Sequence, residues 1–134
     1  MGAFPQAEIT DEAFSITLTD EFPIWQSVSI LRGSRQNPQG RYRGYEFAKQ
    51  RWDEIAAKYP EQILVGAPGS AAGICDEEGR RDVEAFFSGR STELPGGPRI
   101  LAQVLETIDL CVAYRSVQKP SLDEFLRQYG RKQN

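Results

Sequence analysis

The sequence predicts an all-α fold made of antiparallel helix pairs in an irregular α-solenoid. Three observations carry this. Apolar residues recur at three- and four-residue steps through most of the chain, the period of an amphipathic helix. Proline, glycine and short polar residues that start or stop helices fall every 10–20 residues. The links they leave are short, and neighbours joined by short links pack antiparallel. No exact internal repeat is present, but helix pairs of this size suit an irregular solenoid.

In chain order, residues 1–5 read as a frayed start. Thr10-Asp11-Glu12 reads as a helix entry with acids in its first turn. The stretch Phe14-Ser15-Ile16-Thr17-Leu18-Thr19 alternates apolar and polar and is rich in β-branched residues, which is a strand pattern. Local sequence leaves helix and strand both open there. Pro23 opens a helix over 23–35, with Ile24, Val28 and Leu31 on one face and Trp25 beside them. Asn37-Pro38 is a start signal, cap followed by first-turn proline. A helical face of Tyr45, Ala48, Trp52, Ile55, Ala56 and Tyr59 follows, the helix proper spanning 43–59 and ended by Pro60. Ile63-Leu64-Val65 and the small residues 66–73 suggest a short helix packed closely.

Asp76 is placed to cap a helix carrying Val83, Phe86 and Phe87, with Gly89 as its stop. Gly97 caps, and Pro98 opens, a helix whose stripe is Leu101, Val104, Leu105, Ile108, Cys111, Val112 and Arg115. Pro120 should close that helix after about 30 Å of rise. Ser121 through Glu124 fits a capping box for a last helix with Leu122, Phe125, Leu126 and Tyr129 on its face, ended by Gly130.

The chain has 134 residues, one domain's worth, and a formal net charge of −3, which argues against nucleic-acid binding by the whole. No apolar run is long enough to span a membrane, and no signal peptide is expected from residues 1–30. Met1-Gly2 begins like a myristoylation signal, but Gln6 stands where Ser or Thr is needed. The most informative count is zero histidines. It excludes Ser-His-Asp and Cys-His catalysis and histidine-ligated zinc in this chain. No catalytic, cofactor-binding or metal-ligating residue is assigned.

The glycine-rich segment 66–73 has no Gly-Lys-Ser/Thr after it, so close packing explains it better than phosphate binding. The acidic pairs Asp11-Glu12, Asp20-Glu21, Asp76-Glu77 and Asp123-Glu124 fit helix starts rather than a catalytic dyad. Arg32, Arg35, Arg41, Arg43, Lys49 and Arg51, with Tyr42, Tyr45 and Trp52 among them, form a basic stretch. It reads as a solvated face or a surface for acidic groups; contact with RNA is the alternative. Trp25, Trp52, Phe86 and Phe87 are expected as core anchors.

Cys75 and Cys111 are expected close together, because one follows the small-residue segment and the other lies on the buried stripe. In an oxidising compartment they would close a 36-residue separation as a disulfide. In the cytosol they would be small apolar core residues.

A series of segments carries a resemblance. It runs through Ala13-Phe14 with residues 18–21, Asn37-Pro38-Gln39-Gly40-Arg41, Tyr45-Glu46-Phe47 with residues 51–55, and Cys75-Asp76. It continues through residues 83–87 and Gly96-Gly97-Pro98-Arg99 with Gln103, residues 105–108, and Leu110-Cys111. In order and spacing the series resembles the C-terminal helical domain of bacterial zinc aminopeptidases of the aminopeptidase N type.

The resemblance implies one helical domain over residues 1–134, an α-superhelix of HEAT or armadillo kind, and a helix at 13–19. It implies a larger metallopeptidase whose zinc and catalytic residues lie in another, absent domain. This domain's implied role is non-catalytic: capping the cleft and limiting which peptides enter. Its implied partners are the parent's other domains and peptide substrate, with no nucleic acid. Arg41 and Arg99 are candidates for attracting a peptide carboxylate. The competing reading is a free-standing helical interaction module. Cytoplasmic and exported locations both stay open.

Overall fold

Seven α-helices and one 3-10 turn make up the computed structural model, which describes residues 6–33 and 40–132. No strand occurs among the described residues.

Helix α1 spans Ala7–Ile16. It starts one turn before the expected entry, so Thr10 lies inside it and donates its hydroxyl back to the Gln6 carbonyl at 3.0 Å. The ambiguous stretch therefore resolves as the end of α1 plus a turn. The amides of Thr17, Leu18 and Thr19 bond back to Phe14, Ser15 and Ile16 at 3.0–3.1 Å. The hydroxyls of Thr17 and Thr19 reinforce two of those carbonyls. The side chains that suggested a strand thus satisfy the carbonyls of a closing helix.

Helix α2 spans Ile24–Gly33. The Asn37-Pro38 start signal and Arg35 lie outside the described residues. The single helix expected over 43–59 is two, α3 at Arg43–Gln50 and α4 at Trp52–Lys58. Arg51 breaks regularity with φ −120° and ψ 25°, yet still donates its amide to the Phe47 carbonyl at 3.0 Å. Helix α5, Glu61–Leu64, and the 3-10 turn Ala67–Ala71 are the short elements foreshadowed by residues 63–73.

Helix α6 spans Glu77–Thr92, capped by the Asp76 carboxylate accepting from the Gly79 amide at 2.7 Å. Gly89 does not stop it. Its Cβ position faces open space, and a lone glycine costs a helix only about 1 kcal/mol. The chain turns at Gly96, whose φ of +80° suits glycine. Helix α7 then runs from Gly97 to Lys132. A Cβ on Gly97 would sit 2.0 Å from the Ser91 carbonyl oxygen, so glycine is what lets α7 turn so tightly against α6.

Pro120 and Gly130 do not end α7, and the Ser121 capping box does not form. Proline's fixed φ is helical, so the helix loses one hydrogen bond, that to the Ser116 carbonyl. Ser116 is exposed, where water can take that carbonyl. The Lys119–Asp123 ion pair at 3.0 Å spans the proline. The acids of residues 123 and 124, like Asp11 and Glu12, therefore sit within a helix rather than at its start.

Two apolar cores result. One joins Tyr45, Ala71, Ile74, Val83 and Phe87 to Leu101, Val104, Leu105 and Ile108 of α7. The other joins Val28, Ala48, Ile55, Tyr59 and Leu64. Phe87 meets Phe86 edge-on at 4.9 Å and Trp52 edge-on at 5.7 Å. Trp52 is half-buried, so it borders the first core without being enclosed. Trp25 is no anchor: it is 74% exposed, because α2 turns Val28 inward and Trp25 outward.

The helix pairing is antiparallel where cross-links show it. Cys75 meets Cys111, Arg80 meets Asp109, and Ser91 meets Gly97, so α6 and α7 run in opposite directions. Packing of this kind is compatible with the α-superhelix the sequence predicts.

Candidate functional site

A cavity of about 330 Å³ opens between α2, α3, α4, α5 and the 3-10 turn. Val28 and Leu31 line it from α2, Phe47 and Trp52 from α3 and α4, and Ile63 from α5. The small residues of the glycine-rich segment form its floor: Gly66, Ala67 and Gly69 keep it open by lacking bulk. That segment does pack closely, as expected, and the cavity is the space it leaves.

The lining is mixed, with Arg32, Tyr59 and Ser70 set among apolar residues. Arg32 is its charged residue, and the Ser70 hydroxyl is buried with no hydrogen-bond partner among the described residues. An unpaired buried hydroxyl costs stability unless a guest or water satisfies it. The cavity itself can hold an apolar group beside the Arg32 cation.

The walls are held by polar ties that cross between helices. Tyr59 donates its hydroxyl to the Thr17 carbonyl at 2.8 Å, fixing α4 to the end of α1. Lys58 bonds both the Thr19 carbonyl and the Asp20 carboxylate, and that contact holds the Asp20 carboxyl below its usual range. Arg43 grips both oxygens of Asp11 at 2.7 Å.

Beyond the cavity, Tyr45 donates to Asp82 at 2.7 Å while Lys49 holds both oxygens of the same carboxylate. The Lys49 hydrogen bond, then that from Tyr45, lowers the Asp82 pKa. Burial, then the adjacent carboxylate, pushes Tyr45 well above the usual tyrosine range.

The basic stretch is thus largely committed within the fold. Arg43, Lys49 and Arg51 pair with Asp11, Asp82 and Glu54. Arg32 reaches the cavity. Arg41 lies against Gly73, 3.2 Å from where a Cβ would stand. Arg99 is exposed in the first turn of α7. Neither Arg41 nor Arg99 lines the cavity, and Arg32, passed over as one cation among six, does. Its position one turn after Val28 was the available signal.

Cys75 and Cys111 are joined, with Cα atoms 5.3 Å apart. Arg115, one turn further along α7, donates to the Cys75 carbonyl at 3.3 Å. The bond and the hydrogen bond clasp the 3-10 segment to α7 where its packing ends. Both thiols are consumed and the chain has no histidine, so the nitrogen and sulfur donors of a usual zinc site are lacking. Among the described residues no acidic or thiol cluster could hold a metal, and no helix is long and apolar enough to cross a membrane.

Comparison with known families adds one finding. The family model described as the ERAP1-like C-terminal domain matches residues 1–110. That span holds the cavity and both cores, and ends just before Cys111 and Arg115 of the clasp. The match agrees with the resemblance to an aminopeptidase C-terminal domain. A search of curated proteins finds no match.

Proposed function

Because the chain belongs to the family of ERAP1-like C-terminal domains, we propose that it is a non-catalytic capping domain of a zinc aminopeptidase, shaping peptide access. In this reading the zinc and the bond-breaking groups belong to another domain of the parent. This chain's residues bind and exclude; none of them moves a proton in the cleavage step.

The observation that carries the reading is the cavity. Its apolar side chains suit a peptide side chain, and Arg32 suits a carboxylate. The ties from α4 to α1 make its walls rigid, so entry is limited by shape rather than by induced closure. The remaining domains of the parent and the peptide are the partners this reading implies.

Trp52 lines the cavity and reports on it. In a Trp25→Phe background, peptides with an apolar C-terminal residue and a free carboxylate should change Trp52 emission saturably. Amidated peptides should bind at least tenfold more weakly, and Arg32→Ala should erase that difference. Equal binding of free and amidated peptides, or no saturable change, defeats the carboxylate assignment. The purified chain should not hydrolyse an aminoacyl arylamide; chelator-sensitive hydrolysis would place chemistry in it after all.

A further inference from the structure

The described chain exposes two sets of apolar side chains in settings of opposite charge. The first belongs to α1, α2 and the turn between them. Residues 6–31 contain Glu8, Asp11, Glu12, Asp20 and Glu21 and no Lys or Arg. Ile9, Phe22, Ile24 and Trp25 are exposed among these acids. The second is the part of α7 beyond residue 109. Residues 110–134 contain Arg115, Lys119, Arg127, Arg131 and Lys132 against only Asp123 and Glu124. Leu122, Phe125, Leu126 and Tyr129 are exposed there, each more than half so. Their spacing of i, i+3, i+4 and i+7 is that of a helix that lays its apolar face on a partner.

We propose that this half of α7 docks on the α1–α2 surface of a second copy of the chain, and that the exchange is reciprocal. Along unbroken α7 the arm runs on past the elements that α7 packs against, α6 and the 3-10 segment. Leu122 lies about 16 Å, and Tyr129 about 27 Å, beyond Cys111 along the axis. Charge selects the site. The basic arm meets Glu8, Glu12 and Glu21, besides Asp11 and Asp20, which Arg43 and Lys58 already hold, whereas two arms laid against each other would repel. Trp25, at 74% the most exposed large hydrophobic residue among the described residues, supplies the aromatic anchor such contacts favour. Reciprocity covers both surfaces in both copies and closes the assembly at two. This proposal goes beyond the peptide-access reading and does not depend on it.

Sedimentation velocity of the 134-residue chain tests it. A dimer should form as concentration rises through the micromolar range and weaken in high salt, since exposed charges are screened within about 8 Å at physiological ionic strength. Phe125→Asp should raise the dissociation constant at least tenfold while leaving circular dichroism unchanged. The sharper test reverses charge on each surface separately, as Lys119→Glu with Arg127→Glu, and as Glu12→Lys with Glu21→Lys. Each variant alone then opposes like charges and should be monomeric. Their equimolar mixture restores both contacts and should dimerise. A wild-type chain that stays monomeric overturns the proposal. So does a dimer that survives either reversal, a mixture that fails to pair, or a species that grows beyond two copies.

Discussion

The two halves of α7 make one comparison inside one helix. Residues 101–108 and residues 122–129 both repeat apolar side chains at three- and four-residue steps. In the first, Leu101, Val104, Leu105 and Ile108 are at most 8% exposed; in the second, no apolar residue is less than 54% exposed. Helical period therefore tells which side of a helix would be buried, and not whether a partner surface exists. The first half has α6 and the 3-10 segment against it. The second has left them behind.

Several measurements would break or sharpen that contrast. The largest effect is expected at Ile108, which is fully enclosed. Ile108→Ala should lower urea unfolding stability by about 2–5 kcal/mol. Leu126→Ala, measured in dilute, high-salt solution, should change it by less than about 0.5 kcal/mol. Comparable losses at both positions would mean that the distal half is packed after all.

The disulfide marks the boundary between the halves. Replacing both cysteines with serine should cost up to about 3.8 kcal/mol, the chain-entropy value for a 36-residue separation. Protein made under oxidising conditions and unfolded without reductant should show no free thiol. Two titratable thiols would remove the clasp and leave packing alone to define the boundary.

Glycines on the two sides should respond in opposite senses. Gly97→Ala places a methyl against the Ser91 carbonyl, a backbone atom that cannot swing aside, and should cost about 1–3 kcal/mol. Gly130→Ala meets open space and should raise local helicity by up to about 1 kcal/mol without moving the global transition. A neutral Gly97→Ala would show that the α6–α7 turn can relax.

The smallest effect concerns Tyr45, beside the packed half. Its folded pKa is raised, by burial first and by Asp82 next, so the folded chain keeps a proton that the unfolded chain releases near pH 10. Its contribution is fully present below pH 10 and declines as pH rises beyond it. Tyr45→Phe should cost about 1 kcal/mol at neutral pH through the lost Asp82 hydrogen bond, and should flatten that alkaline decline. An unchanged decline would assign it to other groups.

Asp76 and Pro98 were legible because each acts within one turn of chain. A carboxylate that caps an amide three residues on, and a proline tolerated in a first turn, depend on nothing distant. The buried stripe from Leu101 to Ile108 was legible for the same kind of reason, periodicity. The alternating residues at 14–19 left helix and strand both open, because β-branching favours a strand only when a neighbouring strand is present. Here the threonine hydroxyls close a helix instead.

The helical class, most helix starts and the absence of histidine chemistry were fixed by the sequence alone. All of these follow from local periodicity, capping and composition. Tertiary structure alone decided that Trp25 faces water, that α7 continues through Pro120, that Arg32 rather than Arg41 or Arg99 reaches the cavity, and that the two thiols are joined. Each of those depends on what stands opposite a side chain or a carbonyl. Burial, solvation and cross-chain distance are properties of pairs of distant segments, which local spacing does not encode.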